Sequence, residues 1–188
     1  MIMCNQSKTV MREEMKVKVQ SLTDNERGQE NACICRTLSK RCKDQDNIIG
    51  VFMPLQDEPD IEPFIEECFA AGISICTPEW KYPDLTFKII RSFDDIRKDP
   101  KTKIREPKAK NPSVDPSGIT HVLVPGRAFT RSGGRLGRGG GAYDRWIREQ
   151  RMINPATRFI GVCFRCQIVD ELPMEMHDEK VDEVVTGS

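Results

Sequence analysis

The 188-residue sequence carries no net charge, with 29 basic residues against 29 acidic ones. A protein held to nucleic acid by bulk charge would show a basic excess, so only local patches remain for that role. No apolar run approaches the roughly 20 residues that a membrane-spanning helix needs, and no membrane partner is expected. The opening stretch, MIMCNQSKTVMREEMK, lacks an apolar signal core and already contains Glu13 and Glu14. A secretory or transit peptide is therefore not expected. The expectation is a cytoplasmic monomer, with an organelle as the alternative location. Two chemical signatures are also missing. There is no Walker A loop, because no Gly-Lys-Ser/Thr follows a glycine at the required gap. Nor is there a recognisable nucleophile motif.

Cysteine is not scarce, but its eight positions are irregular: Cys4, Cys33, Cys35, Cys42, Cys68, Cys76, Cys163 and Cys166. Cys163-Phe-Arg-Cys166 has the C-x-x-C form, yet Cys33-Ile-Cys35 has the wrong spacing for a second zinc knuckle. Cys35, Leu38 and Cys42 fall on one helix face. Reduced thiols that pack as small hydrophobes are expected.

The length suits one domain over residues 1–188. Met11, Met15, Val19 and Leu22 mark an amphipathic helix, and Thr23 with Glu26 forms a capping box that opens a second. Residues 47–53 (NIIGVFM) read as a buried strand, and residues 60–71 as a helix with Asp60 at its start and Gly72 just past its end. Strands are expected at residues 73–77, 85–90, 119–124, 158–164 and 181–185, with a helix over AYDRWIREQ. Residues 97–118 carry four prolines and no apolar periodicity, which reads as a long irregular excursion. Strands alternating with helices predict a three-layer α/β fold: a mainly parallel sheet, helices on both faces, and a helical pair at the N-terminus. In such sheets ligands bind beyond the carboxyl ends of the strands.

The most unusual segment is RSGGRLGRGGGAYDR, residues 131–145. Bare glycine lets backbone N–H groups approach an anion, and the helix that follows adds a favourable dipole. Arg131, Arg135 and Arg138 add charge and paired donors suited to phosphate oxygens. A polyphosphate ligand fits this loop; a flexible solvated loop or an RNA contact stays open. The RNA reading is weakened by the lack of aromatic residues among the arginines. Asp144 at the mouth of a phosphate site would repel the ligand unless a divalent cation lay between them. The alternative is that Asp144 caps the first helical turn.

GGRLGRGGGAYDR resembles the signature of the 5-formyltetrahydrofolate cyclo-ligases, also called 5,10-methenyltetrahydrofolate synthetases. Other pieces match in order: Lys8 and Arg12 in an N-terminal Lys-x-x-x-Arg helix, Glu58 after the first strand, Glu106-Pro107, VLVPGRAF, and the tail CQIVDELPMEMHDEKVDEVVT. The resemblance covers nearly the whole chain.

It implies ATP- and Mg2+-dependent conversion of 5-formyltetrahydrofolate to 5,10-methenyltetrahydrofolate through a phosphorylated iminium. It also implies roles for individual residues. Lys8, Arg12 and the loop Arg135, Leu136, Gly137, Arg138, Gly139, Gly140, Gly141, Ala142 and Tyr143 would bind ATP. Met53 and Glu58 would line the folate site together with Arg138, Gly139, Gly140, Gly141 and Ala142. Arg138 and Tyr143 would be catalytic, and Asp144 and Asp178 would hold the magnesium. His177 is expected at the surface. Residues 97–110 hold seven basic residues against two acidic; a solvated loop and a contact for a folate polyglutamate tail are both readings of that run.

Two departures stand out. The family commonly has Tyr-Tyr-Asp where this chain has Ala142-Tyr143-Asp144, and some members carry lysine where Gly140 stands. The alternative they leave open is a non-catalytic folate- or nucleotide-binding module on the same fold.

Overall fold

Short β-branched and aromatic runs form the strands, and where these are buried on both faces they pair in parallel. The computed structural model describes residues 7–42, 44–81, 84–100 and 104–187. Cys4 and residues 101–103 of the basic run lie outside them. Six strands make the central sheet: β1 (Ile48–Gly50), β2 (Ser74–Lys81), β3 (Asp84–Ile90), β6 (His121–Pro125), β9 (Arg158–Val162) and β10 (Glu183–Val185). Their order is β10-β9-β6-β1-β2-β3. All neighbours are parallel except the edge hairpin β2–β3.

Helices cover both faces. On one side α2 (Asp24–Arg41) and α3 (Glu62–Ala70) bury Ile34, Leu38, Phe64 and Ile65 against Ile49, Ile75 and Leu123. On the other, α4 (Ala142–Ile153) packs Trp146 and Ile147 against Phe87, Val122 and Phe159. The remaining helix, α1 (Lys8–Gln20), seats Met11 and Met15 on Ala128 and Leu136. That places it against a small hairpin, β7 (Ala128–Phe129) with β8 (Arg135–Leu136), which carries the start of the glycine loop.

Several expected boundaries move, each for a local reason. The first strand ends at Gly50, where Val51 still donates its amide to the Cys76 carbonyl at 2.8 Å, and residues 52–55 continue toward the carboxyl edge of the sheet. The third helix starts at Glu62, with Ile61 at the cap position; Asp60 instead accepts the Glu62 amide at 3.0 Å from just outside. Gly72 does follow the helix, with φ 74°. β2 runs past its expected end at Thr77, through Pro78, to Lys81. The proline is tolerated because β1 pairs β2 only as far as Cys76, so its missing N–H faces no partner strand. Residues 97–118 are not wholly irregular: β4 (Ile96–Lys98) pairs antiparallel with β5 (Arg105–Pro107). The Thr23–Glu26 capping box forms as expected, with both reciprocal bonds.

Candidate active site

Five chain segments meet beyond the carboxyl ends of β1, β2 and β6. They are the stretch after β1, the end of the β2–β3 hairpin, residues 104–106 leading into β5, the turn after β6, and the glycine loop that leads into α4. Between them lies a cavity of ≈ 160 Å³. Its wall is mainly apolar, from Met53, Leu55, Pro78, Trp80, Leu85 and Ala142, with Glu58, Arg138, Tyr143 and Asp144 as polar points.

The glycine loop is shaped by backbone that side chains would obstruct. Gly139 has φ 107° and Gly141, at the N-cap of α4, has φ 66°. A Cβ at Gly139 would lie 3.6 Å from the Arg12 guanidinium carbon. Arg12 also donates its Nε–H to the Gly137 carbonyl at 2.9 Å, so α1 braces the loop from outside. Four residues along the same helix face, Lys8 places Nζ 2.6 Å from Asp178 Oδ2 and 3.3 Å from Glu175. Burial alone would raise the Asp178 carboxyl, but the Lys8 bond and the Glu175 amide outweigh it and hold the pKa below its usual value.

Asp144 and Asp178 are brought to neighbouring positions. Asp144 Oδ1 accepts the amide of Glu179, the residue after Asp178, at 3.2 Å. The same oxygen accepts Arg135 Nη2 at 2.7 Å in a buried pair. Asp144 therefore pairs with a cation, while the α4 N-cap is Gly141. Among the described residues no group of three or more His, Cys, Asp or Glu side chains is placed to hold a metal. Two carboxylates are what a magnesium ion bound mainly through phosphates and water requires.

Not every residue of the loop faces the cavity. Leu136 is buried in the α1 cluster, and Arg135 is 4% exposed with its second terminal nitrogen on the Pro125 carbonyl at 3.2 Å. Leu136 anchors the loop, while Arg135, held by the Pro125 carbonyl and Asp144, still forms part of the cavity wall. Tyr143 lies beneath the Arg135 guanidinium, 5.7 Å from it. Burial, then the charge of Glu58, pushes its phenol up, so the hydroxyl stays protonated and able to donate. His177 is exposed and faces Glu175 at 3.1 Å, outside the cavity.

Arg138 faces inward. Its Nε and Nη2 donate to Glu58 Oε1 at 3.1 and 2.7 Å, and Nη2 also donates to Asp57 Oδ1 at 2.5 Å. Asp57 Oδ2 in turn accepts from Arg127. Glu58 is buried, and its other oxygen takes the Leu55 amide at 3.0 Å. Burial would raise the Asp57 carboxyl, yet the two arginines hold it below its ordinary value. Asp57 and Trp80 were not singled out in the sequence. Asp57 lies beyond the carboxyl end of β1 and Trp80 near the carboxyl end of β2, which was the available signal.

The 5-formyltetrahydrofolate cyclo-ligase family model matches residues 4–187. The chain belongs to that family. Among cyclo-ligases, the mouse protein is 28% identical over 192 residues, covering 96% of this chain and 94% of its own. The Escherichia coli K12 cyclo-ligase is 33% identical over 144 residues, or 74% of this chain and 78% of that one. Two solved structures share the fold. The 5,10-methenyltetrahydrofolate synthetase of Aquifex aeolicus superposes with a TM-score of 0.82 at 24% identity, over 96% of this chain and 89% of that one. That of Mycoplasma pneumoniae gives 0.78 at 19%, over 97% and 100%.

Proposed function

We propose that this chain is an ATP- and magnesium-dependent 5-formyltetrahydrofolate cyclo-ligase. The observation that carries the reading is the apolar cavity with Glu58 on one wall and the Arg138-bearing glycine loop on the other. The cavity suits a flat ring system, and the loop suits phosphates; the reaction needs the two to meet.

The formyl oxygen attacks the γ-phosphorus, the bond to the ADP oxygen breaks, and a phosphorylated iminium forms. N10 then attacks the formyl carbon, the C–O bond to phosphate breaks, and N10 gives up its proton as the ring closes. Both steps call for positioning and charge stabilisation rather than a protein nucleophile. Lys8, Arg12 and the glycine-loop amides bind the polyphosphate, with Leu136 and Arg135 supporting the loop from below. Arg138 turns its guanidinium onto the transferring phosphoryl group, and the protonated Tyr143 donates into the site. Glu58 accepts from the donor edge of the folate, with Met53 and Ala142 against its faces. Asp144 and Asp178 each commit one oxygen to internal partners and have a second for magnesium, which would neutralise polyphosphate charge.

The test is the near-ultraviolet absorbance of a methenyl-folate, followed with 5-formyltetrahydrofolate, ATP and magnesium. Growth that needs all three and is lost in Asp144→Ala is expected. A second reading, a non-catalytic binding module, rests on Ala142 standing where the family commonly has an aromatic. Absence of growth with ATP binding intact would favour it.

A further inference from the structure

Arg138 has two claims on it. The guanidinium is a rigid fork of five N–H donors, and all three of its nitrogens are directed at carboxylates: Nε and Nη2 at Glu58, Nη2 at Asp57 Oδ1, and Nη1 toward Asp57 Oδ2 at 3.4 Å. In that orientation it cannot also present the fork to a phosphate. The Glu58 side chain, 5% exposed, is covered by the same guanidinium. Asp57 lies between two cations, because Oδ2 also accepts from Arg127 on the turn after β6. The network is two arginines and two carboxylates, balanced in charge, and it ties three separate loops together.

We propose that Asp57 is a positioning residue that competes with the nucleotide for Arg138, so that filling the phosphate cradle uncovers Glu58 for the folate. The proposal rests on the functional reading above. A polyphosphate offers Arg138 denser negative charge than the two carboxylates it holds, one of which Arg127 already shares, and the fork transfers to it. Asp57 is not stranded when this happens, since it keeps Arg127, which gives the second arginine its purpose. Glu58 Oε1 loses its partner and becomes an acceptor for the substrate. Nucleotide and folate therefore favour each other's binding, and the coupling is reciprocal.

Calorimetric titration of the full chain tests this, with a non-hydrolysable β,γ-imido ATP analogue plus magnesium, in the presence and absence of 5-formyltetrahydrofolate. Asp57→Asn keeps the size and one acceptor but removes the competing charge. It should bind the analogue about three- to fivefold more tightly, the worth of a part-exposed ion pair, and lose most of the folate-dependent gain in affinity. A merely structural aspartate would give weaker nucleotide binding instead. Unchanged or weaker binding by folded Asp57→Asn, against normal wild-type binding, overturns the proposal. Failure of the wild-type chain to bind the nucleotide would overturn the functional reading itself.

Arg127→Gln supplies an independent arm should Asp57→Asn not fold. It leaves the whole Asp57 charge to Arg138, so both nucleotide and folate should bind several-fold more weakly. Loss of nucleotide affinity alone would mean direct phosphate contact by Arg127 and would overturn the latch.

Discussion

Trp80 is 42% exposed, a large apolar ring left open at the mouth of an apolar cavity. It lies against bare backbone: a Cβ on Gly140 would be 3.5 Å from the indole. The bare backbone of Gly140 and the indole thus lie side by side at the edge of the cavity. Ala142, which lacks the aromatic common in the family, lines the same cavity. Trp80 is placed to supply the flat wall that Ala142 does not. Aromatic stacking contributes about 1 kcal/mol beyond area burial, or roughly five- to tenfold in affinity. Trp80→Ala should therefore raise the KM for 5-formyltetrahydrofolate by about that factor, with a much smaller change in kcat and little loss of stability. The chain's other tryptophan, Trp146, is buried against Phe87, so folate should quench wild-type fluorescence and leave that of Trp80→Ala nearly unchanged. An unaltered KM would remove Trp80 from the site.

Elements with a strong repeating pattern were legible before any coordinates: the Met11/Met15 helix, the Thr23–Glu26 box and the parallel strands. The two small hairpins were not. β7 and β8 have two residues each, too few for a period to show, and β4–β5 sits among prolines in charged sequence. Their pairing depends on distant partners. The turn between β7 and β8 shows how. Gly133 has φ 86°, its carbonyl accepts the Val181 amide at 2.9 Å, and a Cβ there would collide with the Val181 carbonyl. A residue nearly fifty positions away decides that this must be glycine. Family resemblance singled out Lys8, Glu58, Asp144 and Asp178 as candidates, while the Asp57–Arg127 link needed separate loops assembled in space. Gly133→Ala should cost about 2 kcal/mol or more, from positive-φ strain and displacement of the Val181 segment. Gly28, exposed within α2 with nothing near its Cβ position, should respond oppositely, gaining about 0.5–1 kcal/mol as alanine. Urea unfolding of the two variants measures both signs in one experiment.

Across the whole molecule the charges cancel, and at the carboxyl edge of the sheet cations are paired with carboxylates locally. Lys8 is held by Asp178 and Glu175, Arg135 by Asp144, Arg127 by Asp57, and Arg138 by Asp57 and Glu58. No helix among the described residues is long and apolar enough to cross a membrane. Lys8 and Arg138 can turn to a polyphosphate only by exchanging partners. When phosphates draw Lys8 away, Asp178 is left beside Asp144 with less compensation, and two carboxylates would then face an anion. A divalent cation would resolve that conflict and would then tie nucleotide binding to the metal through charge balance. With magnesium, ATP at about 100 times its Kd should stabilise the fold by about 2.7 kcal/mol, or about 5–10 °C in melting temperature for a chain of this size. A chelator should remove most of that shift, and RNA should produce none. In Asp178→Asn the magnesium requirement should shrink, because one of the two carboxylates that repel metal-free ATP is gone. A full ATP shift in the presence of chelator, equal in the wild type and Asp178→Asn, would show that the phosphates find their balance without these carboxylates and would remove both from the metal site.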